Sequence, residues 1–133
     1  MSQENVEIVK RGIHPINHRN VDVLAMLVTR DFELVPAMMG VLEGASFRGR
    51  EGIERYFGEL DDSFEYLRLT GEEFRDLGDS VIVVFQVEAR GRGSGVSVTA
   101  KQTAIYDFRD GKISCGRVFL DHGEALRAAG LTE

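Results

Sequence analysis

DSVIVVFQVEARGRGSGVSVTAKQTAIYDFRDGKISCGRVFLD, residues 79–121, has the pattern of three consecutive β-strands. Apolar and polar residues alternate along much of it with the period of two that is typical of strands. The Gly-rich segment 90–95 and the pair Asp110–Gly111 interrupt this pattern with residues that tolerate positive φ, as tight turns between antiparallel strands require. The stretch therefore predicts two consecutive β-hairpins.

Residues 64–77 have the same strand-like pattern, and the chain before them is mostly helical. We expect Pro15 to kink a first helix near the N-terminus, and a short second helix follows. A short strand ends at Pro36, and residues 38–44 (MMGVLEG) are expected to form a loose connection. A third helix comes next, because apolar residues recur there at the spacing of one helical face: Ile53, Tyr56, Phe57 and Leu60. A short helix that ends at Gly130 closes the chain.

This order of elements, with helices grouped before a run of antiparallel strands, predicts an α+β fold. We expect the N-terminal helices to pack over a curved antiparallel sheet. Such a sheet forms a cone, which encloses a cavity wherever side chains do not fill it. Residues 1–133 are expected to form a single domain, since no linker or repeat divides them and the length suits one core.

The composition argues against several classes of partner. The net charge of −6 disfavours nucleic acid, because binding a phosphate backbone normally needs a positive field. No apolar run approaches the roughly 18 residues of a membrane span, so we expect no membrane partner. The single cysteine, Cys115, cannot form an internal disulfide, which indicates a reducing, cytoplasmic location.

Two motifs are similar to anion or nucleotide sites. Arg48 and Arg50 stand at the start of the third helix, where an anion could bind, but Glu51 and Glu54 can pair with them and favour a structural role. The segment GRGSG, residues 91–95, is followed by a strand. A dinucleotide-binding loop would lead into a helix, so we predict a hairpin and no nucleotide cofactor.

The histidines offer one candidate for acid–base chemistry. His122 directly follows Asp121 at the end of the last strand, and the two could act as a pair. Asp121 could equally cap the helix that follows. No histidine has a partner at the HxH or HxxH spacing, so we expect no metal site.

Five stretches together carry a family resemblance: SQENVEIVKRG, FRGREGIERYF, GDSVIVVFQVEARGRGSG, IYDFRDGKI and RVFLDHGEALRAAGL. In this pattern the chain resembles the SnoaL-like family of the nuclear-transport-factor-2-like (ketosteroid isomerase-like) superfamily. The resemblance implies a single SnoaL-like domain over residues 1–133, built as a conical α+β barrel with an apolar pocket. It also implies that two copies often form a homodimer through the sheet.

The catalytic groups of the resembled enzymes fall on inert residues here. Where isomerases of the family have a general-base Asp, a Tyr donor and a second acid, this chain has Pro36, Gly12 and Ala104. Where epoxide hydrolases have Arg and Asp on one strand, it has Gln102 and Ala104, and a further Asp corresponds to Val118. Enolisation needs a base and donors aimed at the developing oxyanion, which argues against the isomerase reaction. An epoxide hydrolase needs a positioned water and an acid, and Gln102 with Val118 cannot supply both.

We therefore predict binding of a small apolar ligand, of steroid, terpenoid or polyketide type, in the cone and without a cofactor. Alternation places Gln102, Ala104 and Tyr106 on the concave face of their strand. The predicted ligand contacts are Ile16, Phe57, Phe85, Gln102, Ala104, Tyr106 and Val118.

Two alternatives stay open. One is an isomerase, cyclase or hydrolase that uses unmatched residues, either Asp121 with His122 or Tyr106 with Gln102. The other is a homodimeric association module. Its convex face would carry the apolar residues Ile82, Val84 and Ile105, and its cone would be filled by Met26, Phe57, Phe85 and Tyr106.

Overall fold

The computed structural model describes residues 2–36 and 46–131. Its elements are α1 (Ser2–Asn17), α2 (Val21–Ala25), β1 (Val28–Val35), β2 (Phe47–Arg48), α3 (Gly49–Ser63), β3 (Phe64–Asp76), β4 (Ser80–Gly91), β5 (Ser97–Arg109), β6 (Lys112–Phe119) and α4 (His122–Ala128). The loose connection predicted at residues 38–44 lies outside the described residues. Within the described ranges, no helix has both the length and the apolar character that a membrane crossing needs.

The strands form one open, curved sheet in the order β2-β1-β6-β5-β4-β3. The four long strands β3 to β6 pair antiparallel with their neighbours in sequence, as the hairpin pattern predicts. One pairing differs from the all-antiparallel expectation, because β1 lies parallel to β6 and makes the sheet mixed. These two strands are far apart in sequence, so no short turn dictates their relative direction.

Residues with positive φ form the predicted turns. Asp110 and Gly111 have φ of 54° and 81° in the β5–β6 turn, and Gly93 and Gly95 have φ of 92° and 70° in the β4–β5 turn. These values suit the left-handed conformations that tight hairpins need. The turn chemistry read from the sequence is thus confirmed, and it sets the register of the three strands that it joins.

The concave face of the sheet packs against the helices that precede it. On β4, Val81 and Val83 are fully buried and lie in one apolar cluster with Val6 and Val9 of α1. Asn17 ties the end of α1 to β3, because its side-chain amide both donates to the Leu69 carbonyl (3.0 Å) and accepts from the Leu69 N–H (2.8 Å). Together these contacts hold α1 across the sheet.

The convex face is covered in part by α4. Ile82 and Ile105, which we expected to be apolar residues on an open face, form a buried cluster with Ala125 and Leu126 of this helix. Val84 is half-buried. The C-terminal helix therefore already occupies two of the three apolar positions that the association hypothesis invoked.

The arginines at the start of α3 have acidic partners. Arg50 pairs with Asp22 and, at 3.5 Å, with Glu54, while Arg48 lies 3.7 Å from Glu33. The helix start is crowded as well, because a Cβ on Gly52 would lie 2.6 Å from the carbonyl carbon of Phe47. The two arginines thus form ion pairs around the start of α3, which is the structural role predicted from the sequence.

Candidate functional site

A cavity of about 480 Å³ lies between the concave face of the sheet and the covering helices. Its wall takes Val9 and Phe85 from the cluster of α1 and β4, and Leu24 and Phe57 from a second cluster built on α2, β1 and α3. Met26, which was expected to help fill a packed cone, is 71% exposed instead. The two clusters cover the cone from opposite sides without filling it.

Most of the predicted ligand contacts lie on the wall of this cavity, namely Ile16, Phe57, Phe85, Gln102, Tyr106 and Val118. Ala104 is different: it has no exposed surface and packs within the core cluster of α1 and β4. Alternation placed it on the correct face, but a methyl group is too short to reach past its larger neighbours. Ligand contact by the wall residues stays a prediction.

Of the positions that correspond to catalytic groups in the resembled enzymes, all except Ala104 lie at the cavity. Gly12 and Pro36 are part of the wall. A Cβ on Gly12 would be 3.7 Å from Leu24, so the helix surface itself forms the wall at this point. Neither residue offers a proton donor or acceptor on a side chain.

Strand β5 runs along the length of the cavity, from an open end to a closed end. At the open end Val98 is 52% exposed, while Leu120, which follows β6 and is level with Gln102 midway to Tyr106, is 53% exposed. Both residues belong to the cavity wall. Tyr106 lies eight residues further along β5, about 26 Å at the rise of an extended strand. It packs against both inner clusters and marks the closed end.

Besides the exposed Ser63, three uncharged polar residues line the cavity: Gln102, Tyr106 and Tyr56. Among the described residues, none of the three has a side-chain hydrogen-bond partner. A ligand in the cavity can therefore form hydrogen bonds with these groups. The sequence analysis placed Tyr56 on the apolar face of α3 but did not identify it as a site residue. Its hydroxyl is the one polar group on that face, and this was the feature that could have indicated a role in the site.

Both phenols are kept protonated by their surroundings. Burial raises the pKa of Tyr106 far above its usual value, and the neighbouring Tyr56 adds to this effect. Burial likewise raises the pKa of Tyr56, although the nearby Arg19 acts in the opposite direction. At neutral pH each phenol can therefore donate a hydrogen bond but is a poor proton acceptor.

Gly116 makes room for the Tyr106 ring. The two residues face each other across the β5–β6 pair. A Cβ on Gly116 would lie 2.9 Å from Cε1 of Tyr106 and 3.3 Å from Leu34, which is closer than carbon atoms normally approach. The absence of a side chain at residue 116 thus sets where the phenol can lie.

Asp121 and His122 lie away from the cavity. Asp121 caps α4 by accepting hydrogen bonds from the Gly123 and Glu124 N–H groups (2.8 and 3.3 Å). The Nδ1 atom of His122 is 2.9 Å from the hydroxyl of Thr103, whose side chain points to the convex face. Both residues are exposed, so the acid–base pair suggested by the sequence lies on the other side of the sheet from the cavity.

Cys115 offers no second site. It lies on β6 opposite Asp107 and Glu33, on the convex side. Burial raises the pKa of its thiol, and the nearby Asp107 carboxylate adds to the shift, so the reactive thiolate is disfavoured. Within residues 2–36 and 46–131 there is no group of three or more side chains placed to hold a metal ion.

The fold matches several crystal structures. TerC co-crystallised with polyporic acid superposes with a TM-score of 0.79 at 22% identity, covering 97% of this chain and 98% of that chain. A protein described as a SnoaL-like polyketide cyclase, from Jannaschia sp. CCS1, gives 0.78 at 20% identity, with 98% and 92% covered.

A hypothetical protein with a ketosteroid isomerase-like fold, from Catenulispora acidiphila and in complex with trimethylamine, gives 0.75 at 21% identity, with 94% and 93% covered. These similarities confirm the α+β fold with helices over a curved sheet.

A sequence comparison with curated proteins finds no match. The family model for the SnoaL-like domain matches residues 9–115, which is most of the chain. The chain therefore belongs to the SnoaL-like family.

Proposed function

We propose that the protein binds a small, mainly apolar molecule of steroid, terpenoid or polyketide type in the cavity, without the carboxylate chemistry of the related isomerases and hydrolases. The observation that carries this proposal is the cavity of about 480 Å³, whose described wall residues include no Asp, Glu, His, Lys or Arg. A concave, apolar site with a few polar groups is the usual form of a small-molecule site.

The size of the cavity suits a useful affinity. A ligand of about 25 non-hydrogen atoms at about 0.3 kcal/mol per atom gains about 7.5 kcal/mol, which corresponds to a Kd of roughly 3 μM. Most of this free energy would come from removing apolar surface from water. The crystal structures with polyporic acid and with trimethylamine support the proposal, since related folds were crystallised with small molecules.

The test is a comparison of two variants with the same chemical change. Val118→Trp places a large ring in the cavity wall, whereas Val96→Trp places it at a position that is 60% exposed and outside the wall. With diphenylhexatriene and a set of steroids as probes, we expect binding to wild type and to Val96→Trp, and at least tenfold weaker binding to Val118→Trp. Absence of binding to wild type, or equal binding to both variants, would contradict the proposal.

An enzyme that uses Tyr106 with Gln102 stays an alternative prediction. Both side chains face the cavity, but at neutral pH the protonated phenol and the amide supply donors and no strong base. Hydrogen–deuterium exchange at the carbon next to a bound ketone would distinguish this reading. Exchange that is faster with wild type than with Tyr106→Phe would favour catalysis over simple binding.

The homodimer through the sheet also stays a prediction. Because α4 covers Ile82 and Ile105, such an interface would have to use the rest of the convex face, around Val84 and the Lys101–Glu72 ion pair (2.5 Å). Light scattering at increasing concentration tests it. A monomeric mass at high concentration would remove the dimer.

A further inference from the structure

We propose that one edge of the sheet, formed by residues Ser97–Lys101 of β5, pairs antiparallel with the same segment of a second copy of this chain. The inference concerns an edge of the sheet and not its convex face, and it does not depend on the proposed function. Three features carry it: backbone groups that point outward without partners, exposed apolar side chains along the same segment, and a sequence that is complementary to itself.

The segment has a neighbouring strand on one side only. Strand β5 has 13 residues and β6 has 8, and their pairing ends at Thr103 and Phe119. The chain then leaves the sheet and forms α4 on the convex face. Strand β4, in contrast, pairs with β5 as far as Ser97. Residues 97–101 are all exposed, and we call this segment the free edge.

The backbone direction along the free edge follows from one hydrogen bond. The carbonyl of Val96 accepts from the Gly91 N–H of β4 (2.9 Å). Successive residues of an antiparallel strand direct their backbone groups to opposite sides, so those of Ser97, Thr99 and Lys101 point away from β4. Within residues 2–36 and 46–131, no hydrogen bond reaches these outward groups. The free edge therefore presents donors and acceptors in the pattern that an added strand requires.

The opposite edge of the sheet, β3, is blocked. The Asn17 side chain donates to the Leu69 carbonyl and accepts from the Leu69 N–H, and it thus takes the place of a neighbouring strand. Proteins commonly protect sheet edges in this way, because an open edge is a template for pairing with another chain. In the described part of the chain, the free edge of β5 has no comparable side chain across it.

The free edge is complementary to itself when Thr99 lies on a twofold axis. Ser97 of each copy then faces Lys101 of the other, and Thr99 faces Thr99. Each of the three pairs exchanges two backbone hydrogen bonds, which makes about six in total, and a shift of either copy along the strand loses at least one pair. Like charges do not meet, because Lys101 faces a serine and is paired with Glu72 of its own chain.

The same register covers apolar surface. Val98 would lie next to Ala100 of the second copy, on the concave side of both sheets. Val96 of the second copy would be level with Gln102 and would therefore meet Leu120, which follows the end of β6. Val96, Val98 and Leu120 are 60%, 52% and 53% exposed in the single chain. Pairing removes this surface from water, and it adds Val96 of each copy to the open end of the other copy's cavity.

The interface predicts a weak dimer. Five residues of each copy bury less than the roughly 800 Å² per partner of a standard interface, so we expect a Kd on the order of 50 μM. Sedimentation velocity should show mainly monomer at about 5 μM and mainly dimer at about 500 μM. Ligand binding measured at about 1 μM protein then reports on the monomer, which keeps the tests of the two proposals separate.

The central variant is Thr99→Pro. Proline removes an outward N–H but no hydrogen bond to β4, and edge strands tolerate it. We expect dimerisation at least tenfold weaker than that of wild type. Thr99→Val keeps the N–H and nearly the same shape, so it is the matched control and should dimerise like wild type.

A second pair of variants tests the apolar contact without changing a strand. Val96→Lys should weaken dimerisation at least tenfold, because it places a charge against Leu120 of the second copy. Val23→Lys makes the same change at a position on α2 that is 42% exposed, and it should have no effect. This pair keeps the proposal testable if Thr99→Pro does not fold.

Amide hydrogen exchange in wild type, followed by NMR, locates the interface directly. Between about 5 and 500 μM protein, exchange at Ser97, Thr99 and Lys101 should slow at least threefold as their N–H groups become bonded. Exchange at Val98 and Ala100 should change less, because their N–H groups already face β4.

Two outcomes would overturn the proposal. A monomer at every concentration would leave the free edge to a strand of a different protein. A dimer that forms equally in Thr99→Pro and Thr99→Val, without slower exchange at the three outward amides, would favour packing through the convex face. Neither outcome bears on the proposed function, whose failure would appear as absence of probe binding to the monomer.

Discussion

Strand β4 sends alternate side chains into two different environments, and the two faces of the sheet differ more than their sequences suggest. On the concave face Val81 and Val83 have no exposed surface and Phe85 is 3% exposed, against helices that leave a cavity between them. On the convex face Ile82 is 3% exposed because α4 packs directly on it, and Val84 is half-buried. Both faces bury apolar residues, but only the concave face encloses a cavity.

The difference comes from the number and length of the covering elements. On the concave side, α1 has 16 residues and α3 has 15, and the two approach the sheet at different places. A curved sheet under two separated helices cannot be filled by side chains of ordinary length. On the convex side a single helix of 7 residues lies directly on a small apolar patch. One face therefore has room for a ligand and the other serves packing.

The largest expected contrast is between neighbours on β4. Val83→Asn would place an amide where no hydrogen-bond partner is available and should lower the free energy of unfolding by about 4 kcal/mol. Val84→Asn, on the half-buried convex side, should cost about 1 kcal/mol. Urea denaturation measures both, and equal losses would contradict the different roles assigned to the faces.

The packing of α4 predicts a smaller loss. Leu126→Ala removes a side chain that is 9% exposed against Ile82 and Ile105, and should cost about 2.5 kcal/mol. Arg127→Ala, next to it on the exposed side of α4, should cost less than about 0.5 kcal/mol. The ligand affinity of Leu126→Ala should stay at the wild-type value, since α4 and the cavity lie on opposite sides of the sheet. A large loss of affinity in the folded variant would show that the faces are coupled.

Alkaline pH should destabilise the concave side through Tyr106. Burial raises the folded-state pKa of this phenol above its unfolded value of about 10, so the unfolded state loses its proton first. The contribution is complete below about pH 10 and is lost progressively as pH rises above it. Tyr106→Phe should flatten the fall of Tm between pH 9 and 11, and Tyr66→Phe serves as the control. An unchanged slope in Tyr106→Phe would contradict the buried, protonated phenol.

The smallest expected effect belongs to Asp121. Asp121→Ala removes the cap of α4 and should lower stability by about 1 kcal/mol, while Asp121→Asn, which can still accept, should lose less. Both should leave ligand binding unchanged, because the carboxylate lies at the convex side. If substitution of Asp121 or His122 changed a catalytic rate, the hypothesis that they act as an acid–base pair would be favoured again, although the structure places them away from the cavity.

Much of the fold followed from local pattern. The hairpin turns at Gly93 and at Asp110–Gly111 were predictable because positive φ depends on the residues of the turn alone. The faces of β4 and β5 were predictable because side chains alternate strictly along a strand, which placed Gln102 and Tyr106 correctly at the cavity. The same rule also suggested Ala104, but alternation says nothing about the length of a side chain relative to its neighbours.

The sequence by itself determined the α+β class, the hairpin-linked strands and the apolar character of the concave face, since these depend on residues that are close together in the chain. Tertiary structure alone decided the parallel pairing of β1 with β6, the docking of α4 on Ile82 and Ile105, and the volume that remains between the helices. These features depend on contacts between residues that are far apart in the chain, and on the combined effect of sheet curvature and side-chain size. Local sequence periodicity contains no information about that combined effect. The location of Tyr56 and Tyr106 at one cavity was therefore visible only in the tertiary structure.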